Sequence, residues 1–205
     1  MKKRFIQFTR AQEGIAYLEF ALCMPFLIAL LMGSIEMTRY ILIVQKVEKV
    51  AITISDVTSQ GSTISTSDLN SIIYAASQVM LPYTFGANGY VIISSVTQTG
   101  TYSTSNPPKV SWQYTSSGAN GSWIQPSQIG TVGNTATLPN GMTLFDKDNI
   151  IVSEVFYHFT PIIPTNGVIG TTSIYKIGIY KPRLGALSTL SALPYFWLPF
   201  TGAVL

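Results

Sequence analysis

The sequence predicts an α+β fold: a long N-terminal transmembrane helix continuing into an outer domain with a second helix and an antiparallel β-sheet. Three observations predict it. The 21 residues Ile15–Ile35 carry one charge, Glu19. Apolar residues at helical spacing continue beyond that run, and from Tyr90 onward the pattern changes to an alternation of period two. The 205 residues leave room for one segment outside the core plus one domain of ordinary size. Only 10% of residues are charged, against about 25% in soluble domains, which favours membrane or assembly roles.

Residues 1–14 form a basic leader containing Lys2, Lys3, Arg4 and Arg10. The apolar run 15–35 would span roughly 31 Å as a helix, the thickness of a bilayer core. Basic residues immediately before such a run predict a cytoplasmic N-terminus and an outward-facing remainder. A cleaved secretory signal has a similar start, but this run is too long and no Ala-x-Ala-like site ends it. Pro25 removes one helical hydrogen bond and is expected to bend the helix.

The helix continues over 36–57. Met37, Tyr40, Ile41, Val44, Val47 and Ala51 form a stripe expected to lie on the outer domain, and Glu36 with Arg39 reads as a solvated i,i+3 pair. The outer domain, 58–205, opens with a Ser/Thr/Gly/Gln-rich connection over 58–67. Thr66 or Ser67 is the expected cap of a second helix, with Asp68 in its first turn. Leu69, Ile72, Ile73, Ala76, Val79 and Met80 form its apolar face, and Pro82 ends it. Strands are expected at Tyr90–Thr97, around Val110, Trp112 and Tyr114, at Ile150–Phe159 and at Ile174–Tyr180. Between Tyr114 and Asp146 a long loop with a short hairpin is expected, holding Trp123 and Ile129. The apolar Leu193–Leu205 segment is expected to pack on its own sheet or on a neighbouring subunit.

Charge distribution excludes a nucleic-acid footprint. The net charge of +3 resides entirely in the chain through Ser55, and the five cations beyond it balance five carboxylates. Cys23 is the only cysteine, so there is neither an intramolecular disulfide nor a cysteine zinc site. Leu22 stands before it where a lipoprotein signal requires a small residue, which leaves Cys23 a packed or lipid-facing thiol. His158, the single histidine, shares a strand face with Glu154, but four residues place them roughly 13 Å apart, too far for a catalytic pair. No phosphate loop, nucleophile elbow or zinc spacing is present, so no cofactor, catalytic residue or small-molecule substrate is expected.

Three further features carry weaker signals. Lys176, Lys181 and Arg183, near Tyr175 and Tyr180, read either as an anion site or as a solvated strand edge. Asn120-Gly121-Ser122 has the glycosylation pattern, which arises often by chance. Leu198-Pro199-Phe200-Thr201-Gly202 has the order of a sortase sorting signal. That signal requires a membrane span and a basic tail after the glycine, and only Ala203-Val204-Leu205 follow.

The most informative stretch is Glu13-Gly14-Ile15-Ala16-Tyr17-Leu18-Glu19-Phe20. A basic leader ends in a glycine, an apolar run follows, and a carboxylate stands five residues beyond the glycine. An ionisable group near the start of a membrane-length helix is costly, which makes Glu19 a functional candidate. The junction resembles the class III signal of type IV pilins and pseudopilins, and within that family the TadE-like minor pilins and pseudopilins of tight-adherence (Flp-type) systems. The resemblance implies cleavage after Gly14 by a prepilin peptidase. Ile15 would then carry a free α-amino group, and Glu19 would be the fifth mature residue.

It also implies a non-enzymatic subunit whose partners are that peptidase, other pilin subunits and the assembly platform of the bacterial inner membrane. In a filament Glu19 would pair with the Ile15 ammonium of a neighbour, offsetting the cost of a buried carboxylate. It would also sit near its own helix N-terminus, where negative charge is favoured. The bland alternative is a glutamate reaching the membrane surface. Phe20 stands where Flp-type major pilins carry Tyr, and with the large outer domain this favours the minor or pseudopilin branch. The competing class is a single-pass protein whose outer domain is an adhesin or binding module.

Overall fold

The computed structural model describes residues 11–116, 124–162 and 170–191. Helix α1 spans Ala11–Thr58 and α2 spans Thr66–Ser77, extended by a short 3-10 turn through Met80. Strands β1 (Gly89–Thr97), β2 (Lys109–Thr115), β3 (Asn149–Phe159) and β4 (Thr172–Tyr180) form one antiparallel sheet in the order β2-β1-β3-β4. The α+β arrangement is the one the periodicity predicts, and each of the four expected strands is present. The leader through Arg10, Trp123, the Asn120 triplet and the Leu193–Leu205 segment lie outside the described residues.

The chain divides into two compact units, one of Met1–Leu42 with Thr160–Gly170, the other of Ile43–Phe159 with Thr171–Leu205. In the first, α1 is a single helix with Pro25 inside it. It is long and apolar enough to cross a membrane, and its most apolar stretch is unburied. Leu18, Leu22, Phe26 and Leu30 are each 70% exposed or more. A contiguous apolar surface of this kind fits a membrane span or packing among other helices.

The second unit is built on Ile43–Thr58. Ile43, Val47, Val50, Ala51 and Ile54 are buried, recurring at helical spacing on one stripe. The expected stripe was partly wrong: Val47 and Ala51 lie on it, but Met37 and Ile41 are exposed. This part of the helix is apolar on several sides, so the wheel alone does not choose between stripes.

The buried stripe lies on one sheet face at very short range. Ser153 Oγ donates to the Ala51 carbonyl at 2.5 Å, and a β-carbon added to Gly178 would stand 2.4 Å from the same oxygen. The opposite face carries Val96, Val110, Ile150 and Val152, covered by Ile129, Ala136, Leu138 and Leu144 from the β2–β3 connection. The hairpin expected in that connection does not form among the described residues. Residues 133–136 run along the outer edge of β2 instead, where Val110 N–H donates to Asn134 O (3.1 Å), Gly133 N–H to Val110 O (2.8 Å) and Ala136 N–H to Pro108 O (2.8 Å).

Helix α2 is capped one residue earlier than expected. Ser65, not Thr66 or Ser67, is the N-cap, because only that position puts Asp68 at the third helical residue and closes a reciprocal box. Asp68 N–H donates to Ser65 Oγ at 3.3 Å and Ser65 N–H to Asp68 Oδ2 at 3.0 Å. The Ser65 hydroxyl, then its backbone N–H, hold the Asp68 carboxyl below its ordinary value of 3.8. A depressed carboxyl stabilises the fold above its ordinary value, and this contribution is lost as the pH falls through the lowered one. Ser65→Ala is expected to cost about 1 kcal/mol, read as a lower urea midpoint with unchanged slope.

Leu69, Ile73 and Ala76 form the buried face of α2. Past its end, Lys46 Nζ donates to the carbonyls of Val79 and Leu81 at 2.9 and 2.8 Å. These are carbonyls that a terminating helix leaves without internal partners.

Candidate functional site

Gly14, Ile15, Glu19 and Phe20 all lie on α1, which is already helical from Ala11. All four are exposed. Ile15 and Glu19 are four residues apart, so they occupy one face a turn from each other. Nothing stands within 4 Å of a β-carbon built on Gly14, so packing within the fold does not require glycine there. Among the described residues these four have no internal partner.

One further residue of this unit differs from expectation. Glu36 is not solvated: its side chain is fully buried. Its Oε1 accepts from Arg39 Nη1 at 2.6 Å and from Ile162 N–H at 3.4 Å, while Oε2 has no hydrogen-bond partner among the described residues. The β3–β4 connection, distant in sequence, supplies Ile162, so the pairing of helix positions alone did not reveal this burial.

In the second unit the candidate anion site does not assemble. Lys176 pairs with Glu48 at 2.9 Å, Lys181 with Asp148, and Arg183 with Asp56 at 2.8 Å. Each cation already holds a carboxylate from another element. Lys181 is also the leading cause holding the Asp148 carboxyl below its ordinary range. Such exposed pairs contribute little individually, but they leave no convergent positive charge for a ligand.

Glu154 is the residue that the sequence undervalued. It is fully buried on the sheet face away from α1. Its carboxylate accepts from Ser127 Oγ, from Gln128 N–H at 2.7 Å and from the Tyr175 hydroxyl at 3.0 Å. Burial, then the Glu154 charge, push the Tyr175 hydroxyl well above its ordinary range. Tyr90, stacked on Phe156 with ring centroids 4.7 Å apart, is raised too, first by burial. The Tyr90 hydroxyl donates to Gln125 O and accepts from Gln125 N–H at 2.6 Å. The cluster therefore pins residues 125–128 to the sheet. His158 is not among the partners of Glu154, in keeping with the separation along the strand.

Two donors meet Oε1 of this carboxylate and one meets Oε2. Among the described residues no group of three His, Cys, Asp or Glu side chains could hold a metal ion. The one signal for Glu154 was a charged residue inside an apolar strand pattern, which predicts a buried partner without identifying it.

Residues 14–53 match the protein-family model described as TadE-like protein. The match begins at Gly14 and covers the apolar stretch with Glu19 and the helix beyond it, not the leader. Comparison with curated proteins and with solved structures finds no match.

Proposed function

The chain is TadE-like over residues 14–53, and on that premise we propose that it is a minor pilin or pseudopilin of a tight-adherence (Flp-type) pilus or a related secretion apparatus. The observation that carries this reading is the exposed apolar helix with Gly14 and Glu19 at its start. A prepilin peptidase removes residues 1–14, cutting after Gly14. The apolar stretch holds the subunit in the inner membrane, N-terminus inside and outer domain outside, until it is drawn into an assembly.

The chemistry is one of pairing. Cleavage turns the Ile15 amide nitrogen into an ammonium, and Glu19 of an adjacent subunit accepts it. Neither charge is tolerable alone among packed apolar helices, so the pair sets the axial register of neighbours. The outer domain contributes a folded body and no catalysis.

The test follows leader removal and assembly on the same samples. N-terminal sequencing of the mature protein is expected to begin at Ile15. Gly14→Val is expected to leave the uncut precursor, because a pocket shaped for glycine rejects a branched side chain. Glu19→Ala is expected to be processed and inserted normally, yet to abolish subunit crosslinking and pilus yield. Wild-type protein beginning at Met1, or normal piliation by a correctly cleaved Glu19→Ala, would overturn the reading.

A further inference from the structure

The two edges of the sheet are treated differently. The outer edge of β2 is covered by the protein's own residues 133–136. β4 pairs with β3 over nine consecutive residues without a bulge. Its other side has no backbone hydrogen-bond partner among the described residues.

The groups left over can be identified. His158 N–H donates to Asn88 O, on the β1 side. Backbone direction alternates along a strand, so the odd-numbered residues of β3 turn toward β4. Through the register Ser153↔Gly178 and Val155↔Lys176, the backbones of Ser173, Tyr175, Ile177 and Ile179 therefore point outward.

Natural sheets protect such an edge with charge, proline or bulges. This one has none of these along Thr172–Tyr180 except Lys176, whose ammonium is drawn back to Glu48. Lys181 and Arg183, just beyond, are likewise held by Asp148 and Asp56. On the outer sheet face Tyr175, Ile177 and Ile179 remain half-buried. Beside them lies a depression of about 170 Å³ bounded by Tyr175, Ile177, Leu138 and Pro139.

We propose that the outer edge of β4 is a docking site for an extended, uncharged polypeptide segment of another subunit. That segment adds a fifth strand and seats an apolar side chain in the depression. Only an extended backbone satisfies a row of alternating N–H and C=O groups, and a side-chain pocket beside the edge supplies selectivity. The neutralised cations exclude an acidic segment as the favoured partner.

A second copy pairing β4 to β4 is disfavoured. Glu48, Ala51 and Asp56 of α1 meet Lys176, Gly178 and Arg183 in that order, so helix and strand run the same way. Antiparallel β4 pairing would reverse the second copy's Ile43–Thr58 segment, which subunits assembling from one membrane face do not allow. That exclusion of a second copy rests on the function proposed above.

The test is hydrogen exchange of the full chain, read over Thr172–Tyr180, in detergent micelles and in native membranes of cells that make the protein. Outward amides are expected to exchange freely in micelles and to slow on the order of 100-fold in membranes. Ile177→Pro removes one outward N–H without breaking the β3 ladder. It should cost at least about tenfold of that protection while the β3 amides keep theirs. Should Ile177→Pro disturb the fold, Ser173→Pro, at an exposed position, gives the same readout.

Equal exchange in both media, or protection unaffected by either proline, would overturn the proposal. Protection already present in purified protein would show the edge covered by the chain itself or by a second copy, and would overturn it as well. Leader cleavage is scored separately by N-terminal sequencing, so an uncut chain with a protected edge sinks the pilin reading alone.

Discussion

Glu154→Ala is expected to destabilise the outer domain by about 1–3 kcal/mol, since it removes a fully buried carboxylate that ties three part-exposed donors to the sheet. Gln128 N–H loses its partner at 2.7 Å and the Tyr175 hydroxyl its partner at 3.0 Å, while Ser127 Oγ loses its carboxylate as well. Against a total of about 5–15 kcal/mol for an ordinary domain, this is a large fraction. The measurement is urea unfolding, with limited proteolysis around residues 125–128 as a local readout. Glu154→Gln keeps one acceptor oxygen and is expected to recover most of the loss. It should also bring the Tyr175 hydroxyl part of the way down, because the neighbouring charge has gone and burial, the largest cause, remains. The sign with pH is opposite to that of Asp68. A hydroxyl raised in the folded state gives stability that is complete below its ordinary value of 10.0 and is lost as the pH climbs through the raised one. Equal stability of Glu154→Ala and wild type would show that the cluster is incidental.

Gly178→Ala is expected to cost about 1–3 kcal/mol, and Gly178→Val more, through overpacking. The added carbon would stand 2.4 Å from the Ala51 carbonyl oxygen and 2.5 Å from Ser55 Oγ. Two of its neighbours are backbone atoms of α1, which cannot rotate aside. The helix must lift from the sheet, stretching the hydrogen bond from Ser153 Oγ to Ala51 O and the Lys176–Glu48 pair. Thermal unfolding and near-ultraviolet circular dichroism follow this directly. An alanine variant as stable as the parent would mean that the close approach is not required.

Both residues show where the sequence stopped being legible. Gly178 sits in a strand pattern where an isolated glycine signals a bulge or a close backbone approach, and nothing local identifies the approaching backbone as Ala51, 127 positions earlier. Glu154 reads as a charge in an apolar strand, and its partners lie on a loop and on another strand. The capping box was nearly legible, since Ser65 and Asp68 are three residues apart, and the error was one position. Glu36 failed for the same reason as Glu154. Its partner within the helix, Arg39, was visible, but Ile162, 126 residues away, was not.

What the sequence determined by itself is whatever depends on neighbours within about four positions: the membrane-length apolar helix, the Gly14–Glu19 spacing, α2 and the placement of all four strands. Helical and strand periodicities are local properties of the backbone, so they are written in adjacent residues. Only the tertiary structure decided which stripe of α1 is buried and that Lys176, Lys181 and Arg183 are neutralised. It likewise decided that Glu154 is engaged by three donors, and that β2 is covered while β4 has no outer backbone partner among the described residues. Those outcomes rest on contacts between segments far apart in the chain, whose free energy is settled by packing and by the pairing of buried polar groups.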